Sequence, residues 1–196
     1  MTRLILASQS FSRKAMLEAA GVRFAAIPAH LDERAVEADF TGAAPDALAL
    51  ALAGAKAAAV SALHPGDLVL GSDSLVVSGG RRFDKPASHE EAADHLHWFS
   101  GREMELHSAA ALVQGGERIW GHADVARLKV RALDEAFIAR YLDAEWPEVS
   151  GCVGVFRIEG LGVHLFDEID GDHFTVLGMP LLPVLGALRA FGGVGL

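Results

Sequence analysis

The segment LVLGSDSLVV, residues 68–77, carries an aspartate in the middle of an apolar run. A lone carboxylate in such a run is costly to bury, so Asp73 must be paired, hold a metal ion or stand at the edge of a cleft. An aspartate so placed can take a proton from water or ligate a divalent cation. A turn or bulge at Gly71 is the structural alternative, and both readings stand. Glu159, in GVFRIEG, raises the same question in a second apolar segment. Near the N-terminus, LASQSFSRK places Ser8, Ser10 and Arg13 where an apolar run gives way to a helical pattern. The N–H groups of a helix start, two hydroxyls and a guanidinium fork make an anion site. Plain N-capping by serine, with Arg13 and Lys14 solvated, uses the same residues.

Other polar residues carry less by themselves. LDER places Asp32 and Glu33 in a polar loop after a strand, and Lys56 follows Gly54 on a helix. Lys85 precedes Pro86, which keeps it extended rather than helical. His95 and His97 stand two apart on a helix and so fall on different faces, a poor metal pair. His107, His122, His164 and His173 are scattered, and Trp98, Trp120 and Trp146 read as core or interface. The single cysteine, Cys152, has no catalytic partner in sequence and reads as an inert thiol.

The elements that must position these residues follow from pattern. RLILA and VRFAAIPA read as strands around the helix SRKAMLEAAG, which stops at Gly21. APDALALALAGAKAAAVSAL is a helix with Pro45 in its first turn. DLVLGSDSLVV is a strand, and SGG returns the chain through RRF as a hairpin. Ser88 and Glu91 have capping-box spacing at the start of a helix that Gly101 closes. EMELHSAAALV and ERIWGHADVARLKV are strands around QGG. LDEAFIARYLDA is an amphipathic helix with Phe137, Ile138, Tyr141 and Leu142 on one face. GVFRIEG and GVHLFDEIDG read as strands, and MPLLPVLGALRAFG as a final helix. This order predicts an α/β fold with a mixed sheet.

The 196 residues are 51% hydrophobic, enough for a substantial core without separate domains. The formal net charge of −9 speaks against a nucleic-acid-binding surface. An anionic ligand would then need local cations or a metal. One cysteine and no CxxC pattern fit a reducing compartment. No apolar run has the length of a membrane span, and the N-terminus lacks the pattern of a signal peptide. A soluble cytoplasmic protein is expected, with no membrane and no nucleic acid among its partners.

The blocks LASQSFSRKAMLEAAGV, LDE, AGAKA, GSDSLV, DKP, SGCVGVFRIEGLGVHLF and GDHFTVLGMPL occur in an order that resembles the Maf family across almost the whole chain. Those proteins are nucleoside triphosphate pyrophosphatases, historically called septum formation inhibitors and associated with house-cleaning of modified nucleotides. The resemblance implies one Maf-like domain over residues 1–196. Its fold would be ITPase-like: an elongated mixed β-sheet with flanking helices, in two lobes around a central cleft. It implies hydrolysis between the α and β phosphates of a nucleoside triphosphate, a divalent metal (magnesium or manganese) and a general-base aspartate. Residues matching the family's active-site positions are Ser8, Ser10, Arg13, Glu33, Lys56, Asp73, Lys85 and Glu159. On that reading Arg13, Lys56 and Lys85 are the cations and Asp73 the base. Glu33 and Asp73 hold the metal. Ser8, Ser10 and Arg13 hold phosphates, and Glu159 reads the base. A homodimer is also implied.

Two branches of the family bear on the substrate. The branch acting on dTTP and UTP carries Gln at the position of Glu159. The branch similar to 7-methyl-GTP pyrophosphatases carries a C-x-G-x-F-x-x-E-G block, as CVGVFRIEG does here. The spacing from Ser10 to Arg13 also follows the second branch. Departures from the family pattern are Phe11 in place of Pro, Ser12 in place of an aromatic residue, Ser74 in place of Thr or Gln, and Met104 in place of a frequent His. The alternatives are a dTTP/UTP enzyme, or a nucleotide-binding regulator of cell division with incidental hydrolysis.

Overall fold

The computed structural model describes residues 3–192. In chain order these form β1 (Leu4–Leu6), α1 (Phe11–Ala19), β2 (Ala25–Ala26), α2 (Glu33–Asp39), α3 (Pro45–Ser61), β3 (Leu68–Ser78), β4 (Arg81–Phe83) and α4 (His89–Phe99). Then come β5 (Glu103–Gln114), β6 (Glu117–Val130), α5 (Glu135–Glu145), β7 (Phe166–Asp170), α6 (His173–Val176) and α7 (Leu181–Ala190). Strand order is β2-β1-β3-β5-β6-β7, with β4 paired to β3. The β1–β2 and β1–β3 pairs are parallel, whereas β3–β4 and β6–β7 are antiparallel. The mixed sheet with flanking helices expected from sequence is present.

Two compact units divide the chain. One comprises the residues up to Ser74, His107–Asp124 and the chain from His173 onward; the other comprises Leu75–Leu106 and Val125–Asp172. In the first unit, alternation along β3 builds two cores. Leu68 and Leu70 pack with Leu4, Leu6, Met16, Leu17, Val184 and Leu188, which brings in α1 and α7. Val69 packs with Ile5, Ala7, Ala57 and Val60, which brings in α3. The second unit centres on Phe83, whose ring meets Phe99 edge-on at 4.6 Å and His95 at 5.0 Å. Leu96, Met104, Leu128 and Leu142 are buried in the same unit.

Local chemistry accounts for most element ends. Ser10, Asp32, Ser88 and Asp134 each accept a backbone N–H as helix N-caps. Pro45 opens α3, as expected. The capping box forms with a shift: Ser88 accepts from Glu91 N at 3.1 Å, but Glu91 Oε2 takes the N–H of Ala87 at 2.7 Å. Gly79 and Gly80 turn β3 into β4 with φ of 59° and 75°, which favours glycine.

Four expectations require correction. LDER does not open a loop; Asp32 caps α2, and Glu33 is its first residue. VRFAAIPA contributes only the two-residue β2. GVFRIEG is not a strand. It is a chain of turns with Val155 at φ 55°, and a Cβ on Gly162 would meet the backbone of Arg157 at 2.5 Å, so the chain doubles back there. GVHLFDEIDG is a strand only from Phe166, after a 3-10 segment at Leu161–Leu165.

Gly71 lies within regular β3 rather than at a turn or bulge. A Cβ there would stand 2.0 Å from the Ala53 carbonyl oxygen, 2.9 Å from Ala57 N and 3.0 Å from Ala57 Cβ. The residue is glycine because α3 lies directly on the strand at that point. Gly71→Ala should force the helix off β3 and destabilise the protein by about 1–3 kcal/mol or more, the usual cost of overpacking. The urea midpoint should fall; an unchanged midpoint would mean that α3 is not seated as described.

Candidate active site

The close seat of α3 on β3 has a chemical consequence for the residues next to the contact on each element. Lys56 precedes Ala57 on α3, and Asp73 lies two residues beyond Gly71 on the same face of β3. Lys56 Nζ donates to Asp73 Oδ1 at 2.5 Å and to Glu33 Oε1 at 3.0 Å. The Asp73 and Lys56 side chains are only 10% and 15% exposed, whereas Glu33 is half exposed. Asp73 is thus buried with a partner, as its cost demanded. Lysine has three N–H donors, so one remains after both carboxylates are served. Asp73 Oδ2 keeps its capacity to accept a proton. The helix that sequence pattern missed, α2, delivers Glu33 to this cluster.

On the opposite face of β3 stands a second cluster. Ser8 Oγ accepts from Ser10 N at 3.1 Å, and Ser10 Oγ accepts from Arg13 N at 3.4 Å. The Arg13 side chain turns back over these serines. Its Nε donates to Gly178 O at 2.9 Å, Nη1 to Ser72 O at 2.9 Å and to Ser8 Oγ at 3.4 Å, and Nη2 to Ser74 Oγ at 3.0 Å. Burial lowers the Arg13 pKa, while Asp73 and then Glu33 oppose the shift through their charge. Ser72 and Ser74 also donate to Gly178 O, at 3.2 and 3.0 Å. Beyond Ser74 the network continues through Ser108 Oγ at 3.0 Å to Thr175 O and, through the Thr175 hydroxyl, to Asp124. Ser72, Ser74 and Gly178 were missed in sequence. The available signal was a pair of serines flanking the acid of GSDS in an otherwise apolar strand.

Lys85 and Glu159 belong to the second unit. Lys85 is exposed in the non-helical link between β4 and α4, in keeping with Pro86 behind it. Glu159 is exposed in a turn, not set in a buried strand. That turn is braced from α5. Glu145, which is buried, accepts from Arg157 Nε and Nη2, each at 2.9 Å, and from Leu161 N at 3.1 Å. Tyr141 OH donates to Val155 O at 2.9 Å and holds that left-handed residue in place. Glu145 continues the Ile138, Tyr141, Leu142 stripe at helical spacing, so an acid on an apolar face was its signal in the sequence. Ile138, Tyr141 and Leu142 are buried as expected, while Phe137 is only partly so.

The first cluster can do acid–base chemistry and hold a cation. Among the described residues no three His, Cys, Asp or Glu side chains gather as a metal cage. Two carboxylates nevertheless converge on one positive charge, the Lys56 ammonium. Such a pair suits magnesium or manganese, which takes one or two carboxylates and completes its shell with water and substrate phosphate. Among the described residues no helix is long and apolar enough to cross a membrane.

Comparison with known proteins gives a consistent family. Residues 3–191 match the family described as Maf-like protein. The chain is 50% identical over 187 residues to a protein of Rhodopseudomonas palustris (strain HaA2) named nucleoside triphosphate pyrophosphatase, covering 95% of this chain and 93% of that one. It is 47% identical over 194 residues to a protein of Rhizobium etli named 7-methyl-GTP pyrophosphatase, covering 98% of each. A protein of Mesorhizobium japonicum with the same name is 46% identical over 194 residues, again with 98% of each chain covered.

Cys152 offers a test of the second unit. Burial pushes its thiol up, the negative charge of Glu159 adds to the shift, and Arg157 and Lys85 oppose it. A raised thiol pKa means less thiolate at neutral pH and slower alkylation. Iodoacetamide should react at pH 8 more slowly than with free cysteine, and the rate should still be rising above the usual thiol range of about 8.5. Glu159→Gln removes one repulsive charge and should shift the rate profile to lower pH. A profile that matches free cysteine and ignores Glu159→Gln would contradict this placement.

Proposed function

The chain belongs to the Maf-like family, and from that premise we propose that it hydrolyses nucleoside triphosphates to the monophosphate and pyrophosphate. The observation that carries this reading is the Glu33–Lys56–Asp73 cluster, with a buried aspartate held by a lysine and a second carboxylate beside it. With Oδ1 bound to Lys56, Asp73 Oδ2 orients water and takes its proton as that water attacks the α-phosphorus. The third N–H of Lys56 donates to a phosphate oxygen and offsets charge that builds on departing pyrophosphate. The start of α1, capped by Ser10, offers free backbone N–H groups that can donate to phosphate oxygens. Glu33 and Asp73 would hold a magnesium or manganese ion, whose chemistry is neutralisation of phosphate oxygens.

For the nucleobase we propose 7-methyl-GTP as the preferred substrate. The CVGVFRIEG block and the two relatives of that name support this choice. An ionised Glu159 only accepts hydrogen bonds, which suits the N1–H and N2 amine of a guanine edge. The positive charge of a methylated ring favours the same carboxylate. Gln can donate and accept, and suits thymine or uracil, whose edges alternate acceptors with one donor.

Three measurements check the reading. Incubation with a triphosphate panel should give monophosphate and pyrophosphate as first products, and excess EDTA should abolish turnover. Diphosphate with orthophosphate as first products, or full activity in EDTA, would overturn the reaction or the metal respectively. Asp73→Asn should lower kcat by roughly 10²–10⁴-fold while substrate still binds. A change of only a few-fold would remove Asp73 as the base. Glu159→Gln should shift the ratio of kcat/KM for 7-methyl-GTP and UTP toward UTP by about tenfold, the worth of one exchanged hydrogen bond. An unchanged ratio would remove Glu159 from base recognition.

A further inference from the structure

Arg13 is placed to act on the protein rather than on a phosphate. A guanidinium has five N–H donors, and phosphate recognition by its fork needs two neighbouring ones. Four contacts to Gly178 O, Ser72 O, Ser8 Oγ and Ser74 Oγ leave at most one. No bidentate phosphate contact can form unless these bonds break.

The position of the four acceptors gives the residue its role. Strand β1 ends at Leu6, while β3 continues to Ser78. The last backbone bond on this edge of β3 is Ala7 N to Leu70 O at 2.8 Å. The next carbonyl along that edge, Ser72 O, receives Arg13 Nη1 in place of a strand N–H. Ser72 and Ser74 directly flank Asp73. Arg13 therefore grips the strand on both sides of the aspartate, from the face opposite Lys56. The same guanidinium holds Ser8, whose hydroxyl fixes the N–H of Ser10, and the Gly178 carbonyl just before α7. Gly178 has φ 100°, and a Cβ there would lie 3.2 Å from Ser74 Oγ, so this corner is shaped to admit the two side chains.

We propose that Arg13 is a positioning residue that sets the backbone carrying Asp73, and that Ser74 is the side chain through which much of this control passes. The proposal rests on the pyrophosphatase reading above. A displacement of about 1 Å at a catalytic group can cost on the order of 10²-fold in rate without loss of binding.

The experiment separates turnover from phosphate affinity. Wild type, Arg13→Lys, Ser74→Ala and the double variant are compared for kcat with the preferred triphosphate. Pyrophosphate and an α,β-methylene triphosphate serve as binding probes by calorimetry. Arg13→Lys should lower kcat by about 10²-fold, while both dissociation constants stay within about threefold of wild type. Ser74→Ala should lower kcat by about tenfold. The double variant should be no worse than Arg13→Lys alone, because both act through one network. A loss of tenfold or more in pyrophosphate affinity in Arg13→Lys would make Arg13 a phosphate ligand and overturn the proposal. Wild-type kcat in Ser74→Ala, or strictly multiplicative losses in the double variant, would do the same. If Arg13→Lys does not fold, Ser74→Ala with its kcat-against-affinity split decides alone. Failure of the underlying reading shows separately, in a wild type that releases no pyrophosphate from any triphosphate.

Discussion

The absence of a side chain at Gly71 is the constraint on which the Glu33–Lys56–Asp73 cluster depends. A helix packed on a sheet ordinarily stands off by the depth of the intervening side chains. At Gly71 that depth is zero, and the Ala53 carbonyl and Ala57 backbone come down onto the strand. Lys56 is carried in with them, near enough to place its ammonium on Asp73. The aspartate is buried and the lysine nearly so, and neither could be left there alone. Backbone contact and ion pair therefore stand or fall together, and they explain why a glycine sits inside a strand of valines and leucines.

The two faces of β3 divide labour in the first unit. Odd-numbered residues run Val69, Gly71, Asp73 toward α3, and they pass from core packing to close approach to the ion pair with Lys56. Even-numbered residues run Leu68, Leu70, Ser72, Ser74 toward the side of α1 and α7, and pass from core packing to a hydrogen-bonded lock. Period-two alternation keeps the lock off the face that carries Asp73 and Lys56. An arginine that serves four carbonyl or hydroxyl groups from behind can hold the strand without crowding the space before Asp73. The serines do more than decorate the strand end, since each also fixes the Gly178 corner that leads into α7.

What was legible in the sequence was whatever local chemistry determines. Pro45 at a helix start, Ser10 and Ser88 as caps, the Gly79–Gly80 turn and the amphipathic face of α5 were all read from neighbours in the chain. Asp73 stands out in the sequence because an acid in an apolar run is an energetic anomaly, and in the structure it is paired with Lys56. Features that depend on distant residues were not legible. Nothing near Gly71 announces a helix pressed against it, so a bulge was an equal alternative. GVFRIEG has the alternation of a strand, yet contacts of Glu145 with Arg157 and Leu161 hold it as turns. LDER resembles a polar loop because an aspartate cap and a polar first turn look like one, and α2 buries none of its residues.

The charge of the chain puts a further condition on any polyanion that it binds. A net charge of −9 repels a triphosphate at long range, and salt screens that repulsion beyond about 8–10 Å. Attraction must then come from groups within a few ångströms. Arg13, committed to protein acceptors, adds its charge from behind the strand without a fork to offer. Lys56 is shared between two carboxylates, so that cluster has two negative groups against one positive. Left in this state, the cluster itself offers no net attraction to phosphate, and Arg13 adds its charge only from the far side of the strand. On the reading proposed above, a divalent cation entering with the nucleotide would tip that balance toward attraction, with the two acids supplying only part of its shell.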